Sequence, residues 1–220
     1  MRLRMPLRRW LQRSSALTRR VVIKIGGATL FHPSGFQASL QKVLTEFRND
    51  QVWMLVGGGD LVEAMRSVHR HYPNLDQAEI HWRCIELLDH TWAIAKELLP
   101  SPRSISESNE LQAAATEEFH AEVLWVRVQA FYRRSTQIAL PHEWRPSQDW
   151  NTTTDTLAWL LGKLIDADLT ILLKQCGCDP KMSLREAARL GMVDTSLAEL
   201  CEKNDGGQPR VQLRQVTTAD

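Results

Sequence analysis

The sequence predicts an α/β fold with a mainly parallel central sheet and helices on its faces, and three stretches carry that prediction. Val21-Val22-Ile23-Lys24-Ile25 is an apolar, β-branched run around one lysine, closed by Gly26-Gly27-Ala28-Thr29-Leu30. Val52-Trp53-Met54-Leu55-Val56 is a second apolar run and passes at once into Gly57-Gly58-Gly59. Leu169-Thr170-Ile171-Leu172-Leu173 is a third and ends in Lys174. Short apolar runs bounded by glycine read as buried strands. Helical patterns between them give a βαβα order, which implies parallel pairing.

Taken in order, Phe36, Leu40, Val43, Leu44 and Phe47 recur at helical spacing after the first strand. Asp60 opens a helix after the triple glycine, with Leu61, Val62, Ala64, Met65 and Val68 on its inner side. Gln77 to Leu99 is a long helical pattern in which His81, Trp82, Asp89 and His90 read as packing or capping residues. Ser101–Glu110 reads as a loop, Val123–Val128 as a strand, Ile138–Leu140 as a short strand and Pro141–Gln148 as a second loop. The polar run Asp149–Asp155 then leads into an apolar helix, with Thr154 or Asp155 as its cap. Asp179-Pro180-Lys181 reads as a turn, Ser183 with Glu186 as a capping box, Gly191 as a helix stop and Val211–Val216 as a last strand.

Composition narrows the function classes. The 220 residues are 43% hydrophobic and 24% charged with a net charge of +1, ordinary values for a globular protein with no call for nucleic acid. Seven arginines and no acid lie in residues 1–20, leaving 20 basic residues against 26 acidic ones in the rest. That head has no apolar core of a secretory signal. It reads as a poorly ordered basic extension ahead of one domain over residues 21–220. No apolar run reaches the ~18 residues of a membrane span, so a cytoplasmic protein without a membrane partner is expected. The four cysteines, Cys84, Cys176, Cys178 and Cys201, read as free thiols. Cys176-Gly177-Cys178 without a second pair is a weak metal signal, and no residue is assigned to a metal.

The chemistry gathers at the strand exits. A buried lysine needs a partner, and Lys24 stands just before Gly26 and Gly27, whose amides can face a ligand. Gly57, Gly58 and Gly59 precede a helix N-terminus whose dipole favours an anion. Each feature also has a plain structural reading, a snorkelling lysine or a simple turn. Together with Lys174 and the polar run containing Asn151, Thr154 and Asp155, they describe a receptacle for a polyphosphate outside the carboxyl ends of a parallel sheet.

As a set, Lys24-Ile25-Gly26-Gly27, Val56-Gly57-Gly58-Gly59, Thr154-Asp155 and the strand Asp168–Lys174 resemble the amino-acid kinase superfamily, the fold of acetylglutamate kinase, aspartokinase and uridylate kinase. The resemblance spans Val21 to Asp194. Ile80-His81-Trp82, Asp89 and Trp150–Asp155 look like the archaeal-type branch, one member of which phosphorylates an aminomethylfuran phosphate in methanofuran synthesis. The resemblance implies a three-layer αβα sandwich, ATP with Mg²⁺, a small-molecule acceptor and no covalent phospho-enzyme. It also implies a homodimer or higher homo-oligomer.

Carried over, Lys24 binds the transferring phosphoryl group and Lys174 the ATP phosphates. Gly26, Gly27, Gly58 and Gly59 supply backbone donors to phosphates, Gly57 joins them in binding phosphate or substrate, and Asp155 orients the lysines or an outer-sphere water. Asn151 stands where the branch usually has an acid, and Lys174-Gln175-Cys176-Gly177-Cys178-Asp179 replaces a Thr-Asp-Val-Asp-Gly segment. The expected activity is transfer of the γ-phosphoryl group of ATP to a phosphate or carboxylate acceptor in one-carbon cofactor synthesis. An acylglutamate- or aspartate-type kinase and a non-catalytic nucleotide sensor are the alternatives. Lys24→Ala and Asp155→Ala are both expected to lower turnover far more than stability.

Overall fold

The computed structural model describes residues 19–31, 36–99, 103–118, 120–175, 177, 179, 182–204 and 207–216. Six strands form one sheet among them: β1 (Arg20–Ile25), β2 (Gln51–Val56), β3 (Arg103–Ile105), β4 (Glu122–Val126), β5 (Leu169–Lys174) and β6 (Arg210–Gln215). Their order across the sheet is β3-β4-β2-β1-β5-β6, and every pairing is parallel. All six strands therefore present their carboxyl ends on one edge.

The alternation of side chains along β1 sorts the two faces. Val21, Ile23 and Ile25 pack with Leu40 and Val43 of α2 (Phe36–Glu46) and with Phe47 just after it. Val22 points the other way, into a core with Trp53, Leu55, Trp82, Leu157, Trp159 and Leu172. That second face is covered by α4 (Gln77–Leu98), α5 (Ser108–Thr116), α7 (Thr154–Leu164) and α9 (Thr195–Lys203). The result is a three-layer αβα sandwich. α1 (Gly27–Phe31), α3 (Asp60–His71), α6 (Arg134–Gln137) and α8 (Leu184–Arg189) complete the described helices.

Several expectations are corrected. The loop expected over Ser101–Glu110 contains strand β3, and α5 starts at Ser108. Ile138–Leu140 is not a strand but the turn that follows α6, with Ile138 71% exposed. The inner side expected for α3 buries no residue, and its Ala64 and Val68 face solvent. Thr153, not Thr154 or Asp155, caps α7. Helix α9 follows Gly191 where the sequence reading placed nothing.

Arg19 and Arg20, placed by sequence in the basic extension, already belong to the folded domain. Arg19 binds Asp50 at 2.8 Å, and the Arg20 amide donates to Asp168 at 3.1 Å. Residues 1–18, Cys176 and Cys178 of the Cys-x-Cys pair, and Pro180 and Lys181 of the expected turn lie outside the described residues.

Candidate functional site

Lys24 and Lys174 meet because of register. Lys24 pairs with Leu172 on the neighbouring strand, so Lys174 sits two residues further along, on the same face. That face carries α7, whose first turn supplies Asp155. Lys24 Nζ lies 2.9 Å from Asp155 Oδ1, and Lys174 Nζ donates to Asp155 Oδ2 at 2.5 Å. The Oδ1 contact is an ion pair without hydrogen-bond alignment, so that buried oxygen has no hydrogen-bond partner among the described residues. Lys24 is 6% and Asp155 3% exposed and the Lys174 side chain 14%, so the pairs are held where water screens them little.

The electrostatics follow from that burial. Desolvation lowers the Lys24 amine from its ordinary value, and the Asp155 charge opposes the fall. Desolvation would raise the Asp155 carboxyl, but the two ammonium groups outweigh it and hold the carboxyl below the usual range. The ionised carboxylate thus ties both lysines in place.

The glycine turns lie directly above. A Cβ on Gly27 would come within 2.0 Å of the Gly59 amide nitrogen and 2.4 Å of the Gly57 carbonyl. The two turns therefore touch backbone to backbone, which only glycine allows. Gly59 itself sits at φ 52°, ψ −138° as the cap of α3. A Cβ on Gly57 would fall 2.8 Å from Thr154 Oγ1 and 3.4 Å from Lys24 Cε, so this glycine roofs the lysine stem.

A cleft of about 660 Å³ opens from this floor. Its wall includes Lys24, Gly27, Gly57, Gly58, Gly59, Asn151, Thr154, Asp155 and Lys174, nine of the ten residues singled out by sequence. Gly26 is not on that wall. Its carbonyl accepts from the Thr29 amide at 3.0 Å and from the Thr29 hydroxyl. Asn151 lies at the rim, its side chain bonded to Asp149 at 3.1 Å. Among the described residues no group of three His, Cys, Asp or Glu side chains could hold a metal ion.

The cleft also holds residues that sequence reasoning passed over. Asp194, at the start of α9, accepts from the amides and hydroxyls of Thr153 and Thr156 and from the Leu197 amide. Its signal was an ordinary N-cap pattern, Asp194-Thr195-Ser196-Leu197, which says nothing of a second helix. Arg66 lies 4.9 Å from the centre of the Trp150 ring, whose Nε1 donates to His69 Nδ1 at 2.7 Å. His81, read as a packing residue, does pack, bonding Tyr132 Oη at 3.1 Å, but it also reaches the cleft wall. Burial pushes its imidazole down to about 4, so it is neutral at physiological pH.

Sheet order and helical layers are those of an α/β fold found in solved kinase structures. Among solved structures the chain is similar to uridylate kinase from Archaeoglobus fulgidus, at 17% identity and a TM-score of 0.54 over 90% of this chain and 91% of that one. UMP kinase from Bacillus anthracis gives 12% identity and a TM-score of 0.56 over 90% and 87%. Aspartate kinase from Synechocystis gives 12% and 0.54, with 90% of this chain matching 38% of that one. No protein-family model and no curated protein matches the sequence. At these identities the likeness is one of fold.

Proposed function

We propose that the protein is an ATP-dependent small-molecule kinase that transfers the γ-phosphoryl group to a phosphate or carboxylate acceptor. The observation that carries this reading is the convergence of Lys24 and Lys174 on Asp155 beneath two glycine turns, at the open carboxyl edge of a parallel sheet. Phosphoryl transfer asks a protein mainly for positioning and for charge against the moving group. Lys24 supplies that charge from a fixed strand. Lys174, one strand away on the same face, meets the triphosphate. Asp155 holds the two ammonium groups ready, and no strong base is needed because the acceptor is already an anion.

The site fits ATP accompanied by Mg²⁺ borne largely on phosphate oxygens, since both Asp155 oxygens already face ammonium groups. Bound there, the metal would screen charge between the phosphates. Homodimers or larger homo-oligomers form part of the same proposal. The motif resemblance in Ile80-His81-Trp82 and Trp150–Asp155 further points the acceptor to an aminomethylfuran phosphate of methanofuran synthesis.

The test is transfer of labelled γ-phosphate from Mg·ATP to a panel containing that furan phosphate, UMP, aspartate and N-acetylglutamate. Transfer to the furan phosphate is expected, with turnover by Lys24→Met reduced roughly 10²–10³-fold. Near-normal turnover by Lys24→Met defeats the mechanism. ATP binding without transfer to any acceptor assigns the fold to a nucleotide sensor.

A further inference from the structure

Asp194 is bound more heavily than its place in the chain requires. A helix N-cap needs one hydrogen bond to its own helix, and Asp194 has it from the Leu197 amide at 2.8 Å. Four further donors come from another helix. The Thr153 amide and hydroxyl reach Oδ2 at 2.9 and 2.7 Å, the Thr156 amide reaches Oδ2 at 3.1 Å, and the Thr156 hydroxyl reaches Oδ1. Thr153 and Thr156 bracket Asp155 in the first turn of α7. By donating to Asp194, the Thr153 hydroxyl turns a lone pair toward the Asp155 amide, from which it accepts at 3.2 Å. The Ser196 amide adds a parallel tie to the Asn151 carbonyl at 3.0 Å. Two helix starts are thus locked together through one carboxylate that is 8% exposed.

We propose that Asp194 is a positioning residue that fixes the Asp155 carboxylate, and through it the resting places of Lys24 and Lys174. The catalytic meaning of this role rests on the kinase reading above; the positioning itself does not. A group held through intermediates matters because displacing a reacting arrangement by about 1 Å costs a large share of its rate. Burial and the nearby Asp155 charge push the Asp194 carboxyl up, while its bonds from Thr156, Thr153 and the Leu197 amide favour the ionised form. The Asp194 charge favours the protonated form of Lys24.

Asp194→Asn keeps the volume but removes the charge and replaces one accepting oxygen with a donor. Trace acetylation of the full-length protein at pH 8, read residue by residue by mass spectrometry, reports the Lys24 amine without any nucleotide. Labelling of Lys24 is expected to rise about tenfold in Asp194→Asn, because losing the Asp194 charge favours the free amine. ATP affinity by calorimetry is expected to fall about tenfold, the weight of one charge-assisted contact.

A purely structural Asp194 would lower the thermal midpoint and leave Lys24 labelling and ATP affinity unchanged, which overturns the proposal. If Asp194→Asn does not fold, Thr153→Val and Thr153→Ser decide. The serine, which keeps the hydroxyl, should label as wild type and the valine more strongly, whereas equal labelling overturns the proposal. Wild-type protein that binds no ATP while labelling still responds to Asp194→Asn defeats the kinase reading and supports the positioning role.

Discussion

Lys24 and Arg66 are both cations on the wall of one cleft, yet they stand in opposite surroundings. Lys24 rises from β1 between β2 and β5, its strand neighbours fully buried, and faces a carboxylate that is itself 3% exposed. Arg66 projects from α3, a helix that buries no residue, and it pairs with a solvated Glu63 while lying over Trp150. A charge on the floor acts through a medium that barely screens it, whereas a charge on the rim is shared with water. The floor can therefore stabilise a reacting phosphoryl group, and the rim can change partners at little cost to the fold.

The largest expected effect separates the two directly. Asp155→Ala leaves the buried Lys24 ammonium and the partly buried Lys174 ammonium without the carboxylate that pairs with both, and should cost about 3–5 kcal/mol in urea unfolding. The sequence leads to the expectation that turnover falls far more than stability in Asp155→Ala; two ion pairs on one carboxylate make the stability loss itself large. Glu63→Ala at the rim should stay within ~0.5 kcal/mol in the same measurement. Next in size is a pair of glycine variants. Gly27→Ala drives a methyl group into the backbone of the facing turn and should cost about 3 kcal/mol. Gly26→Ala meets only the Leu173 carbonyl at 3.5 Å and should cost under ~1 kcal/mol, the glycine-to-alanine scale.

The smallest effect is a shift along the pH axis. The Asp155 carboxyl is held below its unfolded value near 4. Its contribution to stability is therefore complete above that value and is lost as the pH falls through the lower folded-state value. Lys174→Met removes one of the two ammonium groups and raises the folded-state value. Denaturation series between pH 7 and pH 2 should show a smaller loss that levels off at a higher pH in Lys174→Met than in wild type. Coincident acid limbs would show that Lys174 does not hold the carboxyl.

The legible parts of the fold were those whose residues carry a local pattern. The apolar runs of β1, β2 and β5 and the long repeat of α4 read directly from spacing, as did the two strand-exit lysines. Strand β3 did not, because Arg103-Ser104-Ile105 is three residues long at a sheet edge and gains its identity only by pairing with Leu124–Val126. Helix α5 hid inside a polar stretch, although Glu110 reaching back to the Ser106 and Glu107 amides was a readable cap. Ile138-Ala139-Leu140 misled because three apolar residues match a strand and a turn equally. Within the site, residue types and spacing pointed to Lys24, Asp155 and Lys174. The reach of Asp194 across 38 to 41 residues of chain to Thr156 and Thr153 has no sequence signature.

The central position of β1 has a consequence for how the molecule comes apart. With β2 on one side and β5 on the other, its amides are shielded until the whole sheet opens. Native-state exchange should find them among the slowest in the chain, released only with global unfolding. The exposed turns of α3 should exchange much sooner, so that fraying loosens the entrance while the ammonium group at the base stays in register.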